Sequence, residues 1–332
     1  MGESSCFNWH RLSFFSPAHK PLMYNGWRLV AIERRLQRSL FFFFYVKVIS
    51  RAAVMMISNR ARSRKHKRAA ATLVILLFTV ALARAEPIGA RVQTWMEIKA
   101  AQKAAEALAN SNVTAKDHAR VEQMYYQLVR DHPQSAPAHN ALAAFLWKTG
   151  KPDAAVEHWQ TAQRLDPENG EAASSLGGAY LRMGQVREAA EQFLLAVRCE
   201  SNNPAYHFDL ANVEFLFRHD LAAAWKMDSE KLLERALFQF REASRLAPND
   251  REYARAYAET FYVMPNADWK EAQVAWQHYL ELSTNRNFAY LQLARVTLKQ
   301  RKKAEALSFL DKISDPAFSQ VKEKLRKQAE AL

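Results

Sequence analysis

Histidine is the side chain best suited to bind a metal or to move a proton near neutral pH, and the sequence contains ten. Two histidines on one helix can share a metal when they are four residues apart, because both rings then lie on the same face. No such pair occurs beyond residue 86, where the histidines are His118, His132, His139, His158, His207, His219 and His278. We therefore predict no metal site, and we expect His139 and His207 to be packing or polar residues of the core.

Other catalytic signatures are also missing from the sequence. It has no Cys-x-x-Cys pair, no glycine-rich phosphate loop and no Gly-x-Ser-x-Gly motif. Its acidic residues are spread in the manner of solvated helix faces. With 8 glycines in 332 residues, the chain has few irregular loops on which a catalytic group could be held. The sequence predicts a protein that is not an enzyme and that uses no cofactor.

The formal net charge of +13 lies entirely in the first part of the chain. Residues 1–85 contain 15 lysines and arginines and only two acidic residues, whereas residues 86–332 contain 32 of each sign. A neutral folded region lacks the basic surface on which nucleic-acid binding depends. We therefore predict no nucleic-acid partner.

Residues 55–85 have the three regions of a secretory signal peptide. Basic residues from Arg60 to Arg68 precede an apolar run, Ala69–Ala83, and Ala83-Arg84-Ala85 provides small residues for cleavage. A membrane anchor is the alternative interpretation, although the run is short for a span. Because 54 residues precede this signal, we expect translation to start at Met55 or Met56, with residues 1–54 either disordered or upstream sequence read as protein. The protein is then exported, periplasmic or secreted if the source is bacterial, and it keeps no stable membrane span after cleavage.

The centre of the chain, residues 136–203, contains one pattern twice at an interval of 34 residues. The matching positions are Leu142 and Leu176, Ala143 and Gly177, Gly150 and Gly184, Ala155 and Ala189, Trp159 and Phe193, and Ala162 and Ala196. Each copy predicts two helices that are separated at the glycine. The small residues allow the two helix backbones to approach, and the large residue at 159 or 193 fills the remaining space.

This period and this small-to-large pattern resemble the tetratricopeptide repeat (TPR) family. The resemblance implies an all-α fold, an α-solenoid of stacked antiparallel helix pairs (a TPR-like superhelix) with a C-terminal capping helix. An irregular first pair, residues 86–135, has Val92, Trp95 and Met96 on one side of its first helix and Thr114 as the N-cap of its second. The predicted repeats are 136–169, 170–203, 204–250, 251–286 and 287–316, followed by a cap at 317–332. An insertion at 219–232 is expected to extend both helices of the third repeat.

In this family the first helix of each pair lines a concave groove, so we expect a ligand to meet that helix. Places two, five, nine, twelve and thirteen of the helix share one face. The candidate binding residues are Asn140, Trp147, Lys148, Arg182, Phe208, Asn212, Phe215, Arg255, Glu259, Tyr262, Arg295 and Lys299. Packing of Phe208 and Phe215 against the insertion is an equally good interpretation. The carboxylate clamp of some family members is not expected, because its places hold Asn140, Ala144, Ser174 and Gly178.

These features favour an exported, non-catalytic scaffold that binds a peptide or a protein in its concave groove. The alternative is a structural subunit of a cell-envelope machine for polysaccharide or outer-membrane assembly, bound through its convex face. The sequence leaves the oligomeric state open.

Overall fold

The computed structural model describes residues 88–108 and 114–332. Within these residues the secondary structure is helical and contains no strand. In chain order the α-helices are α1 (Ile88–Ala107), α2 (Ala115–Asp131), α3 (Ala136–Lys148), α4 (Pro152–Leu165), α5 (Gly170–Arg182), α6 (Val186–Cys199), α7 (Pro204–Leu216), α8 (Arg218–Trp225), α9 (Ser229–Leu246), α10 (Arg251–Thr260), α11 (Trp269–Leu282), α12 (Arg286–Lys299), α13 (Lys303–Asp311) and α14 (Ser319–Glu330). The predicted signal peptide and residues 1–54 lie outside the described part of the chain.

Polar side chains begin the first helices of the two central pairs, and a glycine follows the end of each. The side chains of Ser135 and Asn169 accept hydrogen bonds from the first-turn amides of Ala138 and Ala172, which caps α3 and α5. Gly150 and Gly184 end these helices with φ angles of 79° and 76°, a left-handed conformation that glycine adopts without steric cost. Short connections of this kind return the chain as an antiparallel partner helix.

The small-to-large packing within each pair is confirmed. A Cβ atom on Gly177 would lie 2.8 Å from the ring of Phe193, so this ring packs directly against the backbone of α5. In the first copy Ala143 and Ala155 are fully buried beside the buried Trp159. The core therefore runs between the two helices of each pair and into the next pair.

The first helix, α1, packs through a different side from the one that its large residues indicate. Thr94, Ile98 and Ala101 are buried, whereas Val92, Trp95 and Met96 are exposed. The side with Thr94, Ile98 and Ala101 packs against the neighbouring helices, and the side with Val92, Trp95 and Met96 faces solvent. The N-cap predicted for α2 is confirmed, because Thr114 and Asp117 form a reciprocal capping box.

The insertion in the third repeat extends only one of its two helices. The second helix, α9, starts early, at Ser229, but the first helix ends at Leu216 and Phe217 interrupts it before α8 begins. Leu221 anchors α8 by being almost fully buried, and Lys226 then reverses the chain with a φ angle of 51°. The prediction that the first helix continues was wrong, because Phe217 leaves the helical conformation, with φ −107° and ψ 25°, and a separate helix, α8, follows it.

The C-terminal helices complete the stack. A short 3₁₀ segment, Phe261–Val263, follows α10, and another, Pro316–Phe318, precedes α14. Leu325 and Ala329 bury one face of α14, and its exposed lysines face water. Among the residues that the structure describes, no helix is both long enough and apolar enough to cross a membrane.

Candidate functional site

The predicted binding residues lie on the first helix of each pair or just beyond its end, and they differ in accessibility. We call the solvent-facing side of α3, α5, α7, α10 and α12, with the residues that directly follow α10, the first-helix surface. The exposed members are Lys148, Arg182, Arg255 and Lys299. The partly buried members are Trp147, Phe208, Asn212, Phe215, Glu259, Tyr262 and Arg295. Asn140 is only 7% exposed, so its side chain belongs to the core side of α3.

Trp147 and Arg182 come together from consecutive repeats. The Arg182 guanidinium carbon lies 5.5 Å from the centre of the Trp147 ring, within the range of a cation–π contact. The Trp147 ring also lies close to the ring of the buried Trp159, with 5.7 Å between centroids. Trp147 therefore links the core to the surface and holds the Arg182 charge at a defined place.

Phe208 and Phe215 are held by aromatic residues of the following helices. Both rings contact Phe240 of α9, at centroid distances of 5.7 and 6.2 Å, and Phe208 also contacts Tyr253 at 4.6 Å. Neither Phe240 nor Tyr253 belongs to the insertion at 219–232. These two phenylalanines form the partly covered floor of the first-helix surface.

Tyr262 has a structural role in addition to its place beside the surface. Its hydroxyl donates to Gln292 Oε1 at 3.0 Å, and its ring lies 5.9 Å from Trp269 and 6.1 Å from Trp276. Burial raises the pKa of the Tyr262 hydroxyl above its ordinary range. Arg295 donates to the same amide oxygen at 3.3 Å, so both residues are tied to α12.

Arg255 and Glu259 of α10 neutralise one another. Arg255 Nε donates to Glu259 Oε1 at 2.7 Å, and its guanidinium lies 5.2 Å from the centre of the Phe288 ring. This part of the surface therefore presents a paired charge, unlike the cationic side chains Lys148 and Arg182 at the other end.

Two apolar members of the surface were not predicted. Leu216 and Val263 occupy the thirteenth place of the third and fourth repeats, and they are 38% and 41% exposed. The spacing rule that selected Lys148, Arg182 and Lys299 also selects these two positions. These two positions were not selected because exposed aliphatic side chains are common on protein surfaces, and a single one does not indicate a binding site.

Helix α7 carries a buried carboxyl group, Glu214, and a half-buried one, Asp209, that the sequence did not single out. Burial raises the pKa of Glu214 to about 7, although Arg235 opposes this with a contact of 2.5 Å. Burial also raises the pKa of Asp209 to about 7, against a hydrogen bond with Ser174 that lowers it. Arg235 in turn lies 5.4 Å from the ring centre of Trp225, which ties the pair to the insertion helix α8.

Three histidines, His139, His158 and His207, make hydrogen bonds that connect parts of the fold. His139 and His207 are both buried, as expected, and each bonds through Nε2 to a carbonyl six residues earlier, Pro133 O at 3.1 Å and Ser201 O at 2.9 Å. His139 Nδ1 also lies 3.0 Å from Nδ1 of His158, and burial lowers the pKa of both rings. Across residues 88–108 and 114–332, no three metal-binding side chains come together.

Comparison with known proteins supports this architecture. The family model of the tetratricopeptide repeat matches residues 146–210. The small glutamine-rich tetratricopeptide repeat-containing protein 2 of Mycosarcoma maydis is 30% identical over 113 residues, which are 34% of this chain. The chain spans about a third of that relative, 32% of its length.

Solved structures that are similar to this chain include YrrB and PilF. YrrB, described as a TPR protein with an unusual peptide-binding site, is 19% identical with a TM-score of 0.47, covering 63% of this chain and 98% of its own. PilF of Pseudomonas aeruginosa is 16% identical with a TM-score of 0.48, covering 73% and 99%. The repeat pattern and the observed helix pairs agree with the match to the family model, so residues 146–210 are similar to tetratricopeptide repeats.

Proposed function

We propose that this protein is an exported, non-catalytic scaffold that binds an extended peptide, or an extended segment of a protein, on its first-helix surface. One observation supports the proposal best. The thirteenth places, counted from the start of each of the five repeats, carry exposed side chains, in the order Lys148, Arg182, Leu216, Val263 and Lys299. In this order along the chain, which we call the row, two apolar side chains stand between cationic ones.

Such a row matches the chemistry of an extended peptide with an apolar centre and acidic groups towards its ends. The apolar centre would pack against Leu216 and Val263, above the floor formed by Phe208 and Phe215. The acidic groups would meet Arg182 and Lys148 at one end and Lys299 at the other. Because Trp147 already holds Arg182, binding would order fewer side chains and would lose less entropy.

The repeat architecture also supports a protein partner. Stacked helix pairs form extended surfaces that contact other chains, and such surfaces need no catalytic group. We further propose that the protein is exported, on the basis of the signal-like pattern in residues 55–85. Sequencing the N-terminus of the mature protein tests export: a start near Glu86 is expected, and a mature chain that retains Ala69–Ala83 contradicts it.

Charge reversal tests the binding proposal. The full-length protein with Lys148→Glu and Arg182→Glu, carrying a C-terminal tag, is purified from its native cells beside the wild type. We expect recovery of the principal co-purifying chain to fall by about tenfold or more, because two attractions become repulsions. Surface changes of this kind alter stability by only about 0.5–1 kcal/mol, so the melting temperature should stay within a few degrees.

The matched control is Lys324→Glu on the capping helix α14, an exposed lysine of the same chemistry away from the row. This variant should retain the partner at the wild-type level. Full recovery of the same partner by the double variant would contradict the proposal and would favour the alternative, a partner bound through the second helices.

A further inference from the structure

An open pocket of about 420 Å³ lies between the fourth and fifth repeats, beside the row of exposed side chains. We call it the rim pocket, and its walls are Ala267, Asp268, Trp269, Lys270, Gln300 and Lys302. Its size is within the range of pockets that bind small ligands or single peptide residues. The ammonium group of Lys299, the last cation of the row, lies 5.7 Å from the centre of the Trp269 ring, so the pocket borders the first-helix surface.

Gln300 lines the rim pocket, and its side chain has a buried acceptor without a hydrogen-bond partner among the described residues. Its Nε2 donates to Trp269 O at 2.7 Å and to Gln273 Oε1 at 2.9 Å. Because both partners are acceptors, the amide cannot be turned around, and Oε1 faces away from them. This oxygen is buried and makes no hydrogen bond within the described residues. A buried acceptor of this kind costs about 1–3 kcal/mol until a donor reaches it, which favours a ligand that carries an N–H group.

The charges of the pocket favour an anionic ligand. Lys270 and Lys302 line it and Lys299 lies beside it, against Asp268 and Glu305. Asp268 is already engaged, because its Oδ1 accepts the amides of Lys270 and Glu271 as the cap of α11. Lys302 is positioned by Gln273 Oε1 at 3.3 Å and Glu305 Oε2 at 3.4 Å, and it remains exposed. A cationic ligand would meet three lysines here and would be repelled.

We propose that the rim pocket binds a carboxylate adjacent to a peptide N–H. Lys270 and Lys302 contact the carboxylate, Gln300 Oε1 accepts from the N–H, and Trp269 packs against the apolar part of the same residue. The inference rests on the proposed function, since it assigns the end of the row to a defined part of the bound peptide. The carboxylate has two sources, the C-terminus of the peptide or a glutamate side chain within it.

Four short peptides distinguish these sources. Acetyl-Ala-Leu-Ala is used with a free carboxyl group and, as its control, with a C-terminal amide. Acetyl-Ala-Glu-Ala amide is compared with acetyl-Ala-Gln-Ala amide. Each is titrated, up to a concentration on the order of 10 mM, into the full-length protein with ¹⁵N-labelled tryptophan, because isolated contacts of this size bind weakly. The indole signal of Trp269 is assigned from the spectrum of Trp269→Phe.

We expect the Trp269 signal to shift with at least one carboxylate peptide and not with its neutral control. A shift only with the free-acid peptide assigns the pocket to a C-terminus, and a shift only with the glutamate peptide assigns it to a side chain. Lys270→Gln should weaken the binding about tenfold, and Lys324→Gln on α14 should leave it unchanged. The inference is overturned if no peptide shifts the signal, if charged and neutral peptides bind equally, or if Lys270→Gln has no effect.

The outcome can be separated from that of the proposed function. Partner capture that depends on Lys148 and Arg182 but not on Lys270 would retain the first-helix surface and reject the rim pocket. Capture that is insensitive to Lys148 and Arg182, together with carboxylate binding at Trp269, would reject the extended groove and leave an isolated pocket.

Discussion

Replacing Glu214 with Gln should change how the stability of this protein depends on pH. The side chain of Glu214 is fully buried on α7, and its carboxylate lies 2.5 Å from Arg235. Glutamine has nearly the same shape and cannot ionise. The folded protein holds the pKa of Glu214 at about 7, well above the ordinary value of 4.5, because burial opposes the charged form more than Arg235 favours it.

The magnitude follows from the two pKa values. A difference of this size corresponds to about 3 kcal/mol, since each pH unit contributes about 1.4 kcal/mol. Because the folded pKa is the higher one, the stability from protonated Glu214 is fully present below pH 4.5 and is lost as the pH rises through about 7. Wild type should therefore lose about 3 kcal/mol from this residue between these limits, and Glu214→Gln should lose none of it.

Urea unfolding of the full-length proteins, followed by far-ultraviolet circular dichroism at a series of pH values, measures this difference. The free energy of unfolding of Glu214→Gln, relative to wild type, should increase by about 3 kcal/mol from acid to weakly alkaline pH. Glu234→Gln, an exposed glutamate of α9, is the control and should show no such trend. A relative stability that stays constant, or that falls as the pH rises, would show that Arg235 keeps Glu214 ionised and would refute the reasoning.

Two further predictions concern glycine positions. Gly177→Ala should lower the free energy of unfolding by up to about 2 kcal/mol because its Cβ would lie 2.8 Å from Phe193, whereas the adjacent Gly178→Ala meets nothing within 4 Å and should raise it by about 1 kcal/mol. The opposite order in thermal unfolding would disprove the close approach of the helices. Arg301 has a φ angle of 61° at the place where the early repeats have glycine, so Arg301→Gly should raise stability by about 0.5–1 kcal/mol. Gly184→Ala, at a φ angle of 76°, is the matched reverse change and should destabilise the protein by a similar amount; equal stability of all three proteins would contradict the role of these φ angles.

Much of the architecture could be predicted because it is encoded locally. The small residue at 177 and the large one at 193 recur at one interval, and only a closely packed helix pair satisfies both. The capping residues Thr114 and Asp117 are three positions apart and act within a single turn. Features of this kind depend on residues close in the sequence, so they can be predicted from the sequence alone.

The interruption at Phe217 could not be predicted in the same way. No glycine or proline marks it, and the reversal that follows uses Lys226 in a left-handed conformation that sequence patterns assign to glycine. The face of α1 that packs against the neighbouring helices could not be predicted either. Its large residues, such as Trp95, indicated a core face, but the structure buries the side that carries Ile98 and Ala101.

The candidate site was predictable only in part because its chemistry depends on contacts between repeats. The spacing rule located Trp147 and Arg182, but it did not show that they contact one another across 35 positions of the chain. It also did not show that Tyr262 is bonded to Gln292, or that Gln300 and Trp269 meet at one pocket. These contacts are set by the stacking of helix pairs, which the sequence pattern does not specify at the level of single atoms.

The most direct test of the first-helix surface is site-specific photo-crosslinking in the native cells. A benzophenone amino acid replaces Leu216, an exposed residue in the middle of the row, and in a second protein it replaces Val274, which is 65% exposed on the second helix α11. Both positions accept the probe without disturbing the core. We predict a crosslinked partner at Leu216 and none at Val274. Crosslinking of the partner at Val274 but not at Leu216 would contradict the account.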